Sequence, residues 1–195
     1  MIDGMGKVHE QIDGRLSQFI LAQPVFFVGS APTDVSGHVN ISPKGMAGNF
    51  AVLGPHRVAY RDYTGSGAET IAHLRDNGRI VLMFCAFEGP PNIVRLHGKG
   101  RAVFPDDPDF SGLMGAFAGP PDLGLRTIIE VEVDRVSDSC GYAVPFMDYQ
   151  GDRDLLNRYW ERKSADDLVA YHGKKNSRSI DGLPAIDPAF TDAAG

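Results

Sequence analysis

Lys44 and the hydroxyls of Thr64, Ser66 and Thr70 are the side chains whose types and spacing point to chemistry: a cation and a set of donors suited to holding an anion. The stretch Arg57 to Leu74, RVAYRDYTGSGAETIAHL, shows how the chain would present them. Val58 and Tyr60 favour a pleated strand. Thr64, Gly65, Ser66 and Gly67 let the backbone turn sharply and approach a ligand closely. Ile71 and Leu74 then set a helical spacing. Unpaired N–H groups and the positive end of the dipole at the first turn of such a helix favour a phosphate. The local reading stays open in two respects: Thr64 or Ser66 serves equally as a helix cap, and Glu69 is placed to act as the helix's own first-turn anion. Lys44, taken alone, is an ordinary solvated charge. Beside a hydroxyl-rich helix start it becomes one arm of a phosphate clamp.

Composition narrows the function classes. The 195 residues suit one domain with a sizeable core, and 43% hydrophobic against 23% charged residues is the balance of a soluble globular chain. A formal net charge of -6 argues against sequence-independent nucleic-acid binding, since the electrostatic term would repel the phosphate backbone. No run approaches the roughly 18 apolar residues of a membrane span, and MIDGMGKVHEQIDGRL has neither a basic start nor an apolar signal core. We therefore expect a cytoplasmic protein. Cys85, in an apolar strand, and Cys140 form neither a disulfide framework nor a zinc spacing.

The elements that would position the clamp follow from periodicity. Ile12, Leu16, Phe19 and Ile20 make one stripe of an opening helix from Val8 to Gln23, ended by Pro24. Strands are expected at Val25–Val28, His38–Ser42, Arg57–Asp62, Arg79–Phe87, Asn92–Phe104 and Arg126–Val136, with Asn49, Phe50 and Leu53 in a loop. Arg79–Phe87 is nearly all apolar and reads as a central strand buried on both faces. A short helix is expected over Asp106–Phe117, and Asp152–Tyr171 reads as helical with a break at Ser164. Ala185–Gly195 is expected to fray. Six closely spaced antiparallel strands with few helices are most economically arranged as a small barrel.

Four longer motifs, VNISPKG at Val39–Gly45, TGSGAETIAHL at Thr64–Leu74, FCAFEGPP at Phe84–Pro91 and DRVSDSCGY at Asp134–Tyr142, resemble a branch of the pyridoxamine 5'-phosphate oxidase-like family, as does NSRSIDGLP at Asn176–Pro184. The resemblance implies a mainly β split barrel with flanking helices. Residues 1–150 would form the flavin-binding split-barrel domain and residues 151–195 a C-terminal helical extension of the same domain. It also implies an FMN-binding homodimer with cofactor at the subunit interface. By this likeness Ser42 and Lys44 meet the flavin and its phosphate, while Tyr63, Thr64, Ser66, Gly67 and Thr70 wrap the phosphate. Arg95 matches an arginine near the cofactor, or is an outward-facing strand charge. Trp160 is a core side chain or, from the partner subunit, edges the flavin.

The departures from the pattern bear on function. Ala68 and Thr70 stand where the true oxidases carry Ser and Lys, and Asp154–Arg158, DLLNR, does not match their substrate-binding run. The expected activity is an FMN-dependent oxidoreductase acting on an unknown small molecule, reduced by NAD(P)H or another donor, and not the vitamin B6 reaction. The rival readings are a deazaflavin (F420)-dependent reductase and a non-enzymatic flavin or haem carrier or sensor. No catalytic residue is assigned and no metal is expected. His38, His73 and His97 are candidate proton donors, each also readable as structural.

Overall fold

Asp13 starts the first helix, its carboxylate accepting from the Leu16 N–H at 2.8 Å. In the computed structural model, which describes residues 6–119 and 123–186, that helix is α1, Gly14–Ala22. The chain order is β1 (Val8–His9), α1, β2 (Phe26–Ser30), β3 (Asn40–Lys44), β4 (Phe50–Gly54), β5 (Arg57–Tyr63), α2 (Glu69–Asp76), β6 (Arg79–Cys85), β7 (Ile93–Val103), α3 (Phe110–Met114), β8 (Leu125–Ser139), α4 (Leu155–Trp160), α5 (Ala165–Tyr171) and a π-helical turn, His172–Asn176.

The strands form one antiparallel sheet in the order β3-β2-β6-β7-β8-β5-β4, with β1 added to β8. Its two ends are not joined by backbone pairing, so the barrel is split rather than closed. Side chains make the junction instead. Phe26 on β2 packs edge-on against Phe50 of β4 and Tyr60 of β5, with ring centroids 5.0 and 5.4 Å apart. The apolar faces of α1 and α2 bury Leu16, Ile20, Ile71 and Leu74 in the same core as Leu82, Leu96, Ile129 and Val131. A smaller cluster, with Ala59, Val103, Leu113, Phe117 and Ile128, lies under α3. No helix among the described residues is long and apolar enough to cross a membrane.

Among the described residues eight strands form where periodicity predicts six. Phe50–Gly54 has no polar alternation to mark it, yet it pairs Ala51 with Ala59 and Val52 with Val58 as the far edge of the sheet. Val8 and His9 leave the expected helix because they pair with Ser137 and Val136. The Asp106–Phe117 helix shrinks to five residues. The break at Ser164 is a capping box in which Ser164 and Asp167 exchange backbone-to-side-chain bonds. Ala185 and Ile186, expected to fray, are buried at 0% and 3% exposure; positions 187–195 of that expectation lie outside the described residues.

A register shift between His97 and Gly98 lets β7 bend against β8. A Cβ on Gly98 would stand 2.0 Å from the Glu132 carbonyl oxygen, whereas one on Gly54 meets nothing within 4 Å. Gly98→Ala is expected to destabilise the protein by roughly 1 to 3 kcal/mol, and Gly54→Ala to change stability by less than about 0.5 kcal/mol. Urea midpoints measure both, and equal midpoints would show that the bend relaxes freely.

Candidate functional site

The junction between β5 and α2 closes against β3 around a cleft of about 300 Å³, lined by Ser42, Pro43, Lys44, Tyr63, Gly65, Ser66, Gly67, Glu69, Thr70 and Arg126. Six of the residues singled out from the sequence, Ser42, Lys44, Tyr63, Ser66, Gly67 and Thr70, meet there. On the cleft side of β3, the Ser42 hydroxyl donates to Asn40 Oδ1 at 3.3 Å, and Asn40 Nδ2 donates to the Thr70 hydroxyl at 3.2 Å. That chain spans from strand to helix. Glu69 turns its carboxylate back onto Gly67, where an added Cβ would stand 2.2 Å from its Oε2.

Beneath the cleft lies a carboxylate with two cations. Asp62 is 1% exposed; Lys44 Nζ donates to its Oδ1 at 2.6 Å and Arg126 Nε to its Oδ2 at 2.7 Å. Burial alone would raise the Asp62 carboxyl, but Arg126 and then Lys44 outweigh it and hold it at about 2. Arg126 is placed there by a bulge: Asp62 pairs with Thr127 and Tyr63 with Leu125, so Arg126 is the extra residue on β8 and turns inward. Its Nη1 also donates to the Gly67 carbonyl at 2.9 Å. Sequence reading treats Arg126 as the first residue of a strand and assigns it no role, because the bulge leaves no local signature. Asn40 is missed although it lies inside VNISPKG.

Three expected site residues fall elsewhere. Thr64 is 1% exposed and places its hydroxyl 2.8 Å from His172 Nε2, on the side of the loop away from the cleft. Trp160, 5% exposed, packs over Gly124 and donates from Nε1 to the Thr64 carbonyl at 3.2 Å. It braces the loop from behind. Arg95 lies on β7, outside the cleft lining, where its Nη1 donates to Ser139 Oγ at 3.0 Å. Of the histidines, His73 is buried with Nδ1 3.0 Å from Ser30 Oγ, and His38 is held by Asp181 at 2.7 Å. Burial pushes His73 and His97 down. Burial, and then the charge of Arg126, push His172 down to about 4. None of the four lines the cleft.

Asp62→Asn leaves Lys44 and Arg126 without their counter-charge, a loss expected to cost about 3 to 5 kcal/mol on urea unfolding. In the native chain the Asp62 carboxyl is depressed from its ordinary value, so the stability it confers is complete above about pH 4 and is lost as pH falls toward 2, on the order of 2 kcal/mol. Unfolding followed from pH 5 to 2 should show that slope in the native protein and not in Asp62→Asn.

Residues 12–140 match the family model described as pyridoxamine 5'-phosphate oxidase. The chain is 39% identical over 198 residues to the pyridoxamine 5'-phosphate oxidase family protein ustO of Aspergillus flavus, covering 94% of this chain and 79% of that protein. Among solved structures, an FMN-binding protein from Syntrophomonas wolfei subsp. wolfei is similar with a TM-score of 0.48 at 13% identity, over 63% of this chain and 82% of that one. The FAD binding protein from Mycobacterium smegmatis gives 0.46 and 13%, over 68% and 95%. These structural likenesses are too distant to carry an argument, but the sequence matches run through the whole framework of the cleft. By them, the chain belongs to the pyridoxamine 5'-phosphate oxidase family.

Proposed function

We propose that this protein binds FMN with its phosphate in the cleft between β3 and the β5–α2 junction, and that it is an oxidoreductase acting on a small molecule other than pyridoxamine 5'-phosphate. The observation that carries the reading is the charge arrangement: two cations, Lys44 and Arg126, share one buried carboxylate. A surplus positive charge therefore stands at the floor of a cleft whose rim carries the hydroxyls of Ser42, Ser66 and Thr70. Such a donor set suits a phosphate monoester, and the two glycines let the ligand approach the backbone.

When bound, the flavin would supply hydride or electron-pair chemistry that needs no protein nucleophile. The chain's own part is to bind and orient. Lys44 and Arg126 would neutralise the phosphate; Ser66 and Thr70 would fix its oxygens; Ser42 on the edge strand would face the flavin. Arg158, in the segment standing where the true oxidases bind substrate, is spent on Asp154 at 2.6 Å, which supports a different substrate. Ile41, 69% exposed on the edge strand β3, and Val39, 71% exposed just before it, lie on the face opposite Asn40 and Ser42 and favour a second subunit packing on this edge strand, hence a homodimer with the cofactor at the interface. We place the protein in the cytoplasm, reduced by NAD(P)H or another donor.

Absorbance of purified protein and the mass of the released cofactor test the proposal. Flavin bands with the mass of FMN uphold it; a deazaflavin, a haem, or a protein that refuses added FMN overturns it. Two substitutions should act in opposite senses on the FMN dissociation constant. Lys44→Ala removes a charge-assisted bond and should weaken binding by roughly 1 to 3 kcal/mol. Glu69→Gln removes the resident anion of the helix start and should tighten binding by about 0.3 to 1 kcal/mol. Fluorescence quenching of FMN reads both, and equal affinities would move the phosphate elsewhere.

A further inference from the structure

Three carbonyls of the loop from Thr64 to Gly67 are held by side-chain donors, two of them from outside the cleft lining. The Thr64 oxygen accepts from Trp160, the Gly65 oxygen from Asn176 Nδ2 at 2.9 Å, and the Gly67 oxygen from Arg126. Among the described residues the N–H groups of Gly65, Ser66 and Gly67 meet no backbone acceptor. Three of the loop's four carbonyls are therefore engaged while three of its N–H groups remain in hand, the state an anion requires.

Two of the side chains that hold it this way are unusual. His172 and Asn176, on the π-helical turn, are 6% and 0% exposed. Each makes its side-chain hydrogen bond to the loop, His172 Nε2 to the Thr64 hydroxyl and Asn176 Nδ2 to the Gly65 carbonyl. Their remaining atoms, His172 Nδ1 and Asn176 Oδ1, are buried without a partner among the described residues. Neither side chain builds the segment to which it belongs. That segment is fastened by its backbone, Ala185 N to Ser177 O and Ile186 N to Asn176 O, and by Arg75, which donates to the Ala185 carbonyl from the far end of α2 at 2.6 Å. Burying two half-satisfied polar groups is costly unless their one partner is in place. For both groups that partner is the loop, and π-helical turns recur at sites of function.

We propose that His172 and Asn176 are positioning residues for the anion loop, and that docking of the 172–186 segment and anion binding in the cleft are one linked equilibrium. The proposal rests on the phosphate reading of the cleft. Linkage is reciprocal, so an anion in the cleft steadies the segment by the same factor by which the docked segment tightens the anion. The His172 ring is neutral at pH 7, so its contribution is the direction of a hydrogen bond rather than a charge.

The test uses the full chain as His172→Ala, His172→Gln and Asn176→Ala, with FMN and inorganic phosphate as probes. Amide exchange at Thr64, whose N–H donates to the Gly124 carbonyl at 2.8 Å, reports on the loop without ligand, and fluorescence quenching gives the FMN dissociation constant. Each alanine variant should exchange faster in the loop and bind FMN about tenfold more weakly. His172→Gln, whose amide can still reach Thr64, should recover most of the affinity. In the native protein FMN should slow exchange across 172–186, and phosphate should do so at higher concentration. Unchanged loop exchange in both alanine variants, or undiminished FMN affinity with faster exchange, overturns the proposal; if His172→Ala fails to fold, Asn176→Ala decides alone. Should the native protein bind neither probe, the phosphate reading fails and the linkage with it, while faster loop exchange in the variants would still show the bracing.

Discussion

A fully buried aspartate governs this structure. Asp62 stands near the C-terminal end of β5, and its two cations come from β3 and β8. In the sheet order β3 is the first strand and β5 the sixth, so the Lys44–Asp62 pair ties one edge of the sheet to the other side of the molecule. An antiparallel sheet of this width twists but need not curl. Here the cost of leaving a charged carboxylate unpaired in the interior demands that Lys44 reach it, and that demand, together with the Phe26–Phe50–Tyr60 contacts, holds the ends of the sheet together where no backbone ladder does. The split in the barrel and the cleft are thus one feature. Where the strands part, a cavity floored by charge remains.

The same interaction explains how an acidic protein places two cations at the floor of the cleft. Net charge says little about a locus where two positive groups face one negative group at 1% exposure, because burial strengthens local pairs and weakens the influence of distant surface charge. It also accounts for Arg126. The likeness to the oxidases led us to expect too little positive charge at the helix start, since Thr70 stands where they have a lysine. A cation arrives instead from β8, through a bulge, at a distance of 56 residues along the chain from Thr70. Spatial supply of a charge is insensitive to where in sequence it originates.

How much of this was legible beforehand depended on whether a signal was local. The central strands β6 and β7 and the turn into α2 follow from periodicity and short motifs, because those features arise from residues near one another in sequence, whereas Ser42 joins Lys44, Ser66 and Thr70 only through the family resemblance. Asn49, Phe50 and Leu53 read as a loop because an apolar edge strand bordered by glycines has no alternation to read. Val8 and His9 were drawn out of a helix by pairing with residues about 128 positions away, which propensity cannot foresee. Ala185 and Ile186 read as part of a frayed end, whereas in the fold they join the core cluster that holds Ile71 and Leu74 of α2, and Arg75 donates to the Ala185 carbonyl.

Thr64 shows where the logic of the site differs from the logic of its motif. A threonine at the head of a glycine-rich loop invites assignment to the ligand, since its hydroxyl is a good phosphate donor. In the structure that hydroxyl faces His172, and the Thr64 carbonyl faces Trp160. The reason lies in the glycines. A loop permissive enough to approach a ligand is also permissive enough to collapse, and the conformational entropy that Gly65 and Gly67 bring must be opposed by contacts that do not occupy the ligand's place. Those contacts have to lie behind the loop, and a barrel wall alone offers few side chains there. The helices and turn after residue 154 provide them, which gives the C-terminal segment a part in the cleft without lining it.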